Sequence, residues 1–196
     1  MTHCSRPMAA AATLLIVVLG ATGCAAEPAA EPAPRPTPTP TVAVPLATPV
    51  PDAGVPTRVE IPAIGVDERL HAVGLKKDGA MRIPAFGDAG WYDRGPRPGA
   101  PGPAVLVAHV RGPQGPDVFW RLHELEQGDR VTVHRRDGTS TFVVEGSEQV
   151  RKEKLPYDRI WPETDDAVLR LITCGGEFDP KLGGFPDNTI VYASLA

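Results

Sequence analysis

Cys174 and His109 are the two side chains of this sequence whose types and settings could do chemistry. A thiol attacks as thiolate, and with an ordinary pKa of ~8.5 it gains from a nearby imidazolium or guanidinium. An imidazole can also hand a proton to a leaving amine. Acyl transfer needs one group more, a donor for the developing oxyanion: a backbone N–H, an amide or an arginine. Each residue also has a plainer reading. A free cysteine is usually a small buried hydrophobe, and a lone histidine at a strand end is more often structural. What lifts the pair above those readings is that each closes its own strand.

Cys174 follows Leu169-Arg170-Leu171-Ile172-Thr173 and precedes Gly175-Gly176. The stretch alternates, with Leu169, Leu171 and Thr173 on one face and Arg170, Ile172 and Cys174 on the other. Two glycines let the backbone turn sharply and leave the sulfur beside an open backbone. His109 stands near the end of Ala104-Val105-Leu106-Val107-Ala108-His109-Val110. That near-continuous apolar run reads as a strand buried on both faces.

The cysteine usage gives the thiol a reason to be there. The chain has three cysteines. Cys4 and Cys24 fall in segment 1–24, where Arg6, an apolar run from Met8 to Val18 and small residues make an export signal. Ala21-Thr22-Gly23-Cys24 resembles a bacterial lipobox, which would make Cys24 the lipidated first residue of the mature protein. The alternative is an uncleaved anchor, since about 19 mostly apolar residues barely cross a bilayer. Either holds the domain outside the cytoplasm and tied to a membrane. Cys174 is then the only thiol of the folded part, whereas exported proteins usually pair their cysteines or lack them.

Segment 25–56 repeats Glu-Pro, Ala-Pro, Arg-Pro and Thr-Pro with no hydrophobic period, so it forms no core. It reads as a polyproline-like spacer reaching up to ~100 Å, or as a loose linker. The folded domain is expected over 57–196. Short strands are expected at Arg58–Ile61, Ile64–Asp67, Arg69–Val73, Met81–Pro84, Gly90–Tyr92, Arg130–His134, Thr141–Glu145, Gln149–Lys154 and Thr189–Ala193. Val118 to Leu125 has helical spacing, Arg136-Asp137-Gly138-Thr139 is a hairpin turn, and Tyr157–Trp161 is a loop or single turn. Many short strands with one or two brief helices imply a mainly β, closed or nearly closed barrel. A net charge of −4 argues against a nucleic-acid partner. No zinc spacing, phosphate loop or paired carboxylates stand out, so neither metal nor cofactor is expected. His71, His123 and His134 read as surface or hairpin residues.

Five blocks in order resemble the sortase family, closest to its actinobacterial class F. They are Ile61-Pro62-Ala63-Ile64-Gly65-Val66, Gly90-Trp91-Tyr92, Ala104 to Val110, Leu171-Ile172-Thr173-Cys174-Gly175-Gly176-Glu177-Phe178-Asp179 and Asp187-Asn188-Thr189-Ile190-Val191-Tyr192-Ala193. The resemblance implies a closed eight-stranded sortase-type barrel and cysteine transpeptidation. Cys174 would attack the Thr–Gly bond of an LPXTG-type sorting signal, and a peptidoglycan amine or water would resolve the thioacyl intermediate. His109 matches the family histidine, and Thr173 a position that shapes the site. The chain departs from the pattern twice. Ala108 replaces a glycine, and no arginine opens the last strand, where Asn188 takes the third catalytic position. Arg111, Arg121 and Lys181 are cations that could reach in from elsewhere, and Arg111 is grouped with Thr173 as substrate-binding. A monomer is expected. Two other readings are a non-catalytic wall-binding or scaffold lipoprotein on the same barrel, and an L,D-transpeptidase, whose Ser-x-Gly-Cys pattern is absent.

Overall fold

The computed structural model describes residues 52–196. The expected export signal, Cys24 and the proline-rich stretch through residue 51 lie outside the described residues. Among the described residues no helix is long and apolar enough to cross a membrane.

The packed chain reaches back before Thr57. Ala53 is buried, and the Gly54 amide donates to the Asp137 carboxylate at 2.8 Å. A Cβ on Gly54 would lie 2.5 Å from an Asp137 oxygen, so a larger residue there would have to displace the Asp137 side chain.

Strand β1 (Pro56–Ile61) pairs antiparallel with β2 (Val66–Val73) across a 3-10 turn at Pro62–Ile64. β2 runs parallel to β3 (Ala89–Tyr92), which pairs antiparallel with β4 (Gly102–Ala108). A two-residue ribbon follows, β5 (Arg111–Gly112) with β6 (Gly115–Pro116). β7 (Arg130–Arg135) and β8 (Gly138–Arg151) form a hairpin. Helix α1 (Tyr157–Ile160) leads to β9 (Ala167–Gly175) and then β10 (Asp187–Leu195). The order β1-β2-β3-β4-β9-β10-β8-β7 closes into an eight-stranded barrel, mainly β with very little helix. Closure leaves no unpaired sheet edge.

Several local expectations are corrected. Val66–Val73 is one strand rather than two. Met81–Pro84 is loop, with a single bridge between Leu75 and Met81. One 14-residue strand, β8, absorbs the two expected at Thr141–Glu145 and from Gln149. Val118–Leu125 is not an α-helix but turns around a 3-10 helix at Leu122–Glu124. Its buried residues, Phe119, Leu122 and Leu125, recur every three positions, the 3-10 period. The Leu122 amide bonds to the Phe119 carbonyl and the Leu125 amide to that of Leu122.

The alternation along β9 sorts two clusters. Leu169 and Leu171 point into the barrel with Leu106, Val131, Phe142, Val191 and the Phe119–Leu125 turn. Ile172 points outward, where Val105, Val107, Met81, Tyr92 and Trp161 form a smaller cluster. That outer cluster is why β4 reads as continuously apolar: loops cover its second face.

Candidate active site

β4 and β9 lie side by side in parallel, with Val107 opposite Ile172. β4 ends at Ala108, so the expected strand through Val110 stops short of His109, which follows directly after it. On the other side of β9, antiparallel β10 sets Asn188 opposite Cys174. Neighbouring strands are ~4.8 Å apart, and register partners point to the same face. Cys174 and Asn188 therefore share one face at the ends of β9 and β10, and His109, just past β4, lines the same cavity. Cys174 is half-buried and is the free cysteine among the described residues.

The ends of β4 and β9 are fastened from the inner face. Thr173 is buried, and its hydroxyl donates to the Ala108 carbonyl at 2.8 Å. The backbone of His109 is held as well, since its carbonyl accepts from the Phe119 amide at 3.0 Å. Its ring is fixed twice. Nε2 lies 3.0 Å from the Pro84 carbonyl, and the Phe86 ring tilts against the imidazole at 4.3 Å between centroids. A carbonyl only accepts, so Nε2 carries the hydrogen and Nδ1 is the nitrogen left to exchange protons. Asp117 steadies this loop by accepting from the Gly87 amide at 3.0 Å.

The turn beyond Cys174 depends on both glycines. A Cβ on Gly175 would meet the Thr189 hydroxyl at 2.6 Å and the Thr189 amide nitrogen at 3.0 Å. Gly176 has φ of 82°, and a Cβ there would sit 2.9 Å from an Asp187 oxygen. So β10 approaches β9 closely beside the sulfur, and Gly176 turns away in the left-handed region.

Cys174 opens onto two cavities. One, of about 490 Å³, also contains His109 and Asn188; its walls are mainly apolar, including Leu75, Ile83, Val107, Ile160, Trp161 and Ile172. The other, of about 530 Å³, contains Arg111, Trp120, Gln149, Glu177, Phe178 and Phe185. Arg111 thus meets Cys174 across a different cavity from the one His109 shares. Thr173 borders both cavities, but its hydroxyl is engaged by Ala108. Arg121 is paired with Glu124 at 2.7 Å, and neither cavity wall includes Arg121 or Lys181. Among the described residues no group of His, Cys, Asp and Glu is placed to hold a metal ion.

Sequence reading missed the loop wall of the first cavity. Leu75 and Ile83 from loops and Tyr157 from α1 stand exposed along it, an exposure that residue type alone does not reveal. The wall is braced from β9: Arg170 donates to the Arg159 carbonyl at 3.0 Å and lies 4.9 Å over the Tyr192 ring. Burial draws the Arg170 pKa down. Burial, then the hydrogen bond to the Glu148 carboxylate, pushes that of Tyr192 far up.

Fold and site together define a class: a closed β barrel with a cysteine at the end of one strand and a histidine just past its parallel neighbour, lining one cavity. The sortase-domain family model matches residues 59–196, and the chain belongs to the sortase family. Members of that family are in general cysteine transpeptidases associated with the cell surface. Sortase C1 of GBS Pilus Island 1 is 19% identical with a TM-score of 0.56, over 71% of this chain and 64% of that one. A lid mutant of sortase A from Corynebacterium diphtheriae is 16% identical with a TM-score of 0.57, over 74% and 71%. Sortase C1 from Streptococcus suis is 18% identical with a TM-score of 0.57, over 74% of each chain. At such identities the likeness is one of fold, and this chain spans just under two thirds of the first structure's length. No curated protein sequence matches the chain.

Proposed function

We propose that this chain is a sortase-type cysteine transpeptidase acting on an LPXTG-type sorting signal outside the cytoplasm. The observation that carries the reading is the shared apolar cavity of Cys174, His109 and Asn188. The Cys174 thiol gives its proton to His109, and the thiolate attacks the carbonyl carbon of the Thr–Gly bond. The tetrahedral intermediate collapses to a thioester and expels the glycine amine, which takes the proton back from His109. A peptidoglycan amine or water then attacks the thioester and frees the thiol. Asn188 offers an amide hydrogen bond to the reacting carbonyl. Thr173 shapes the strand end.

The aliphatic walls of the first cavity suit the Leu-Pro portion of such a signal. The second cavity then takes the leaving segment and, later, the acceptor, with Arg111 facing substrate. The quoted blocks support a grouping with class F. The segment before residue 25 supports membrane tethering, through lipidated Cys24 or an uncleaved anchor, with 25–56 as spacer and the 57–196 domain working as a monomer without cofactor.

The test is incubation of the full chain with an LPXTG peptide library and an amine acceptor, followed by mass spectrometry. The reading expects a product joining the acyl fragment to the amine, absent with Cys174→Ala. Cleavage of none of the peptides contradicts it. The uncharged Asn188 opposite Cys174 favours a second reading, a non-catalytic barrel that binds wall polymer. That reading expects Cys174 to be alkylated no faster than a free peptide thiol.

A further inference from the structure

We propose that Arg111 supplies the positive charge for the oxyanion, reaching the reacting carbonyl from the turn after β4 rather than from the strand beside Cys174. This rests on the acyl-transfer reading above. The strand partner of Cys174 is Asn188, a neutral amide, and the residue before it is Asp187, whose charge would oppose an oxyanion. Among the described residues lining the two cavities that Cys174 touches, Arg111 is the only permanent cation.

Arg111 is also free to act. Among the described residues it has no carboxylate within ion-pair distance and no hydrogen-bond partner, and it is exposed. Its guanidinium carbon stands 6.0 Å from the centre of the Trp120 ring, at the outer reach of a cation–π contact. An aromatic face steadies a guanidinium without using up its N–H groups, so the donors stay available. The ribbon β5–β6 anchors its backbone, two residues past His109. Cys174 and Arg111 line one cavity, and Cys174 and His109 line the other. A substrate carbonyl at Sγ would then have the proton-transfer group on one flank and the charge on the other.

When the thiolate forms its C–S bond, the carbonyl π pair moves onto oxygen. The resulting oxyanion is what Arg111 would hold. Collapse returns that pair to the carbonyl and breaks the bond to the leaving group. Alkylation of the same thiolate by iodoacetamide displaces iodide and creates no oxyanion. The two reactions at one sulfur therefore separate the proposal from thiolate activation and from loss of fold.

The experiment compares acylation of Cys174 by p-nitrophenyl acetate with its alkylation by iodoacetamide, in the full chain and in Arg111→Ala, Arg111→Lys and Arg121→Ala. The proposal expects Arg111→Ala to slow acylation ~10²-fold, the scale of one lost oxyanion donor, while alkylation stays within about twofold. Arg111→Lys recovers part of the loss, since it keeps the charge without the fork. Arg121→Ala changes neither rate. Equal slowing of both reactions, or no slowing of acylation, overturns the proposal. Because the ester carries no sorting signal, a wild-type chain acylated by the ester but inert to LPXTG peptides would fail the substrate reading and leave the Arg111 result decisive. A wild-type Cys174 that the ester does not acylate overturns both.

Discussion

The Thr173 hydroxyl donates to the Ala108 carbonyl at 2.8 Å, tying the end of β9 beside Cys174 to the end of β4 just before His109. Both residues are buried, so removing the hydroxyl strands a carbonyl away from water. Thr173→Val keeps the shape and loses the donor. It should cost ~1–3 kcal/mol of stability, read as a lower urea midpoint with unchanged slope. Thr173→Ser should stay near wild type. Transfer should fall with Thr173→Val by more than the loss of folded protein, because the spacing of sulfur and imidazole loosens.

Gly175→Ala should damage the site through the backbone. The new methyl meets the Thr189 amide nitrogen at 3.0 Å, and no side-chain rotation relieves that. β10 must move away from β9 beside Cys174. The expected result is a Tm drop and loss of peptide cleavage, checked by thermal unfolding and a fluorogenic LPXTG peptide.

His109→Ala should lower peptide turnover by ~10²–10⁴-fold, the usual worth of a positioned acid–base group. Circular dichroism should be unchanged, because the ring's contacts to Pro84 and Phe86 lie in loops rather than in the barrel.

Tyr192 gives an alkaline signature. Burial, then its bond to Glu148, raises its folded-state pKa above the ordinary value of ~10. The unfolded chain ionises first, so the stabilisation is full below pH ~10 and is lost as pH rises towards the folded pKa. Tyr192→Phe should flatten the decline of stability above pH ~10 without changing its pH dependence between 6 and 9. Urea midpoints across that range measure this.

Trp161→Ala should open the apolar cavity without touching the thiol. Trp161 shares its walls with Ile172 and stacks on Tyr157 at 5.7 Å. KM for an LPXTG peptide should rise ~tenfold, the scale of one lost apolar contact surface, with iodoacetamide labelling of Cys174 unchanged.

Much of this architecture can be read from pattern alone. The alternation of Leu169 to Cys174 assigns the inner and outer faces of β9, because a strand has period two. The apolar run Ala104–Val107 marks a strand covered on both sides. What pattern could not supply was context. Val118–Leu125 has spacing compatible with an α-helix, and only packing against the barrel selects the three-residue period of Phe119, Leu122 and Leu125. Met81–Pro84 has strand-like residues but no partner strand, so it lines a cavity as loop. The Pro84 carbonyl's hold on His109 is a long-range backbone contact, which leaves no mark in residue type. Arg111 could be named as a cation near His109, yet its cavity and its Trp120 neighbour emerge only from the fold.

The most direct measurement is the intact mass of the full chain after brief exposure to an LPXTG peptide at limiting acceptor. A mass gain equal to the acyl fragment, mapped to Cys174 and removed by hydroxylamine, is the predicted result. A chain whose mass does not change while the peptide is consumed, or an adduct that persists in Cys174→Ala, would contradict a thioester at this sulfur.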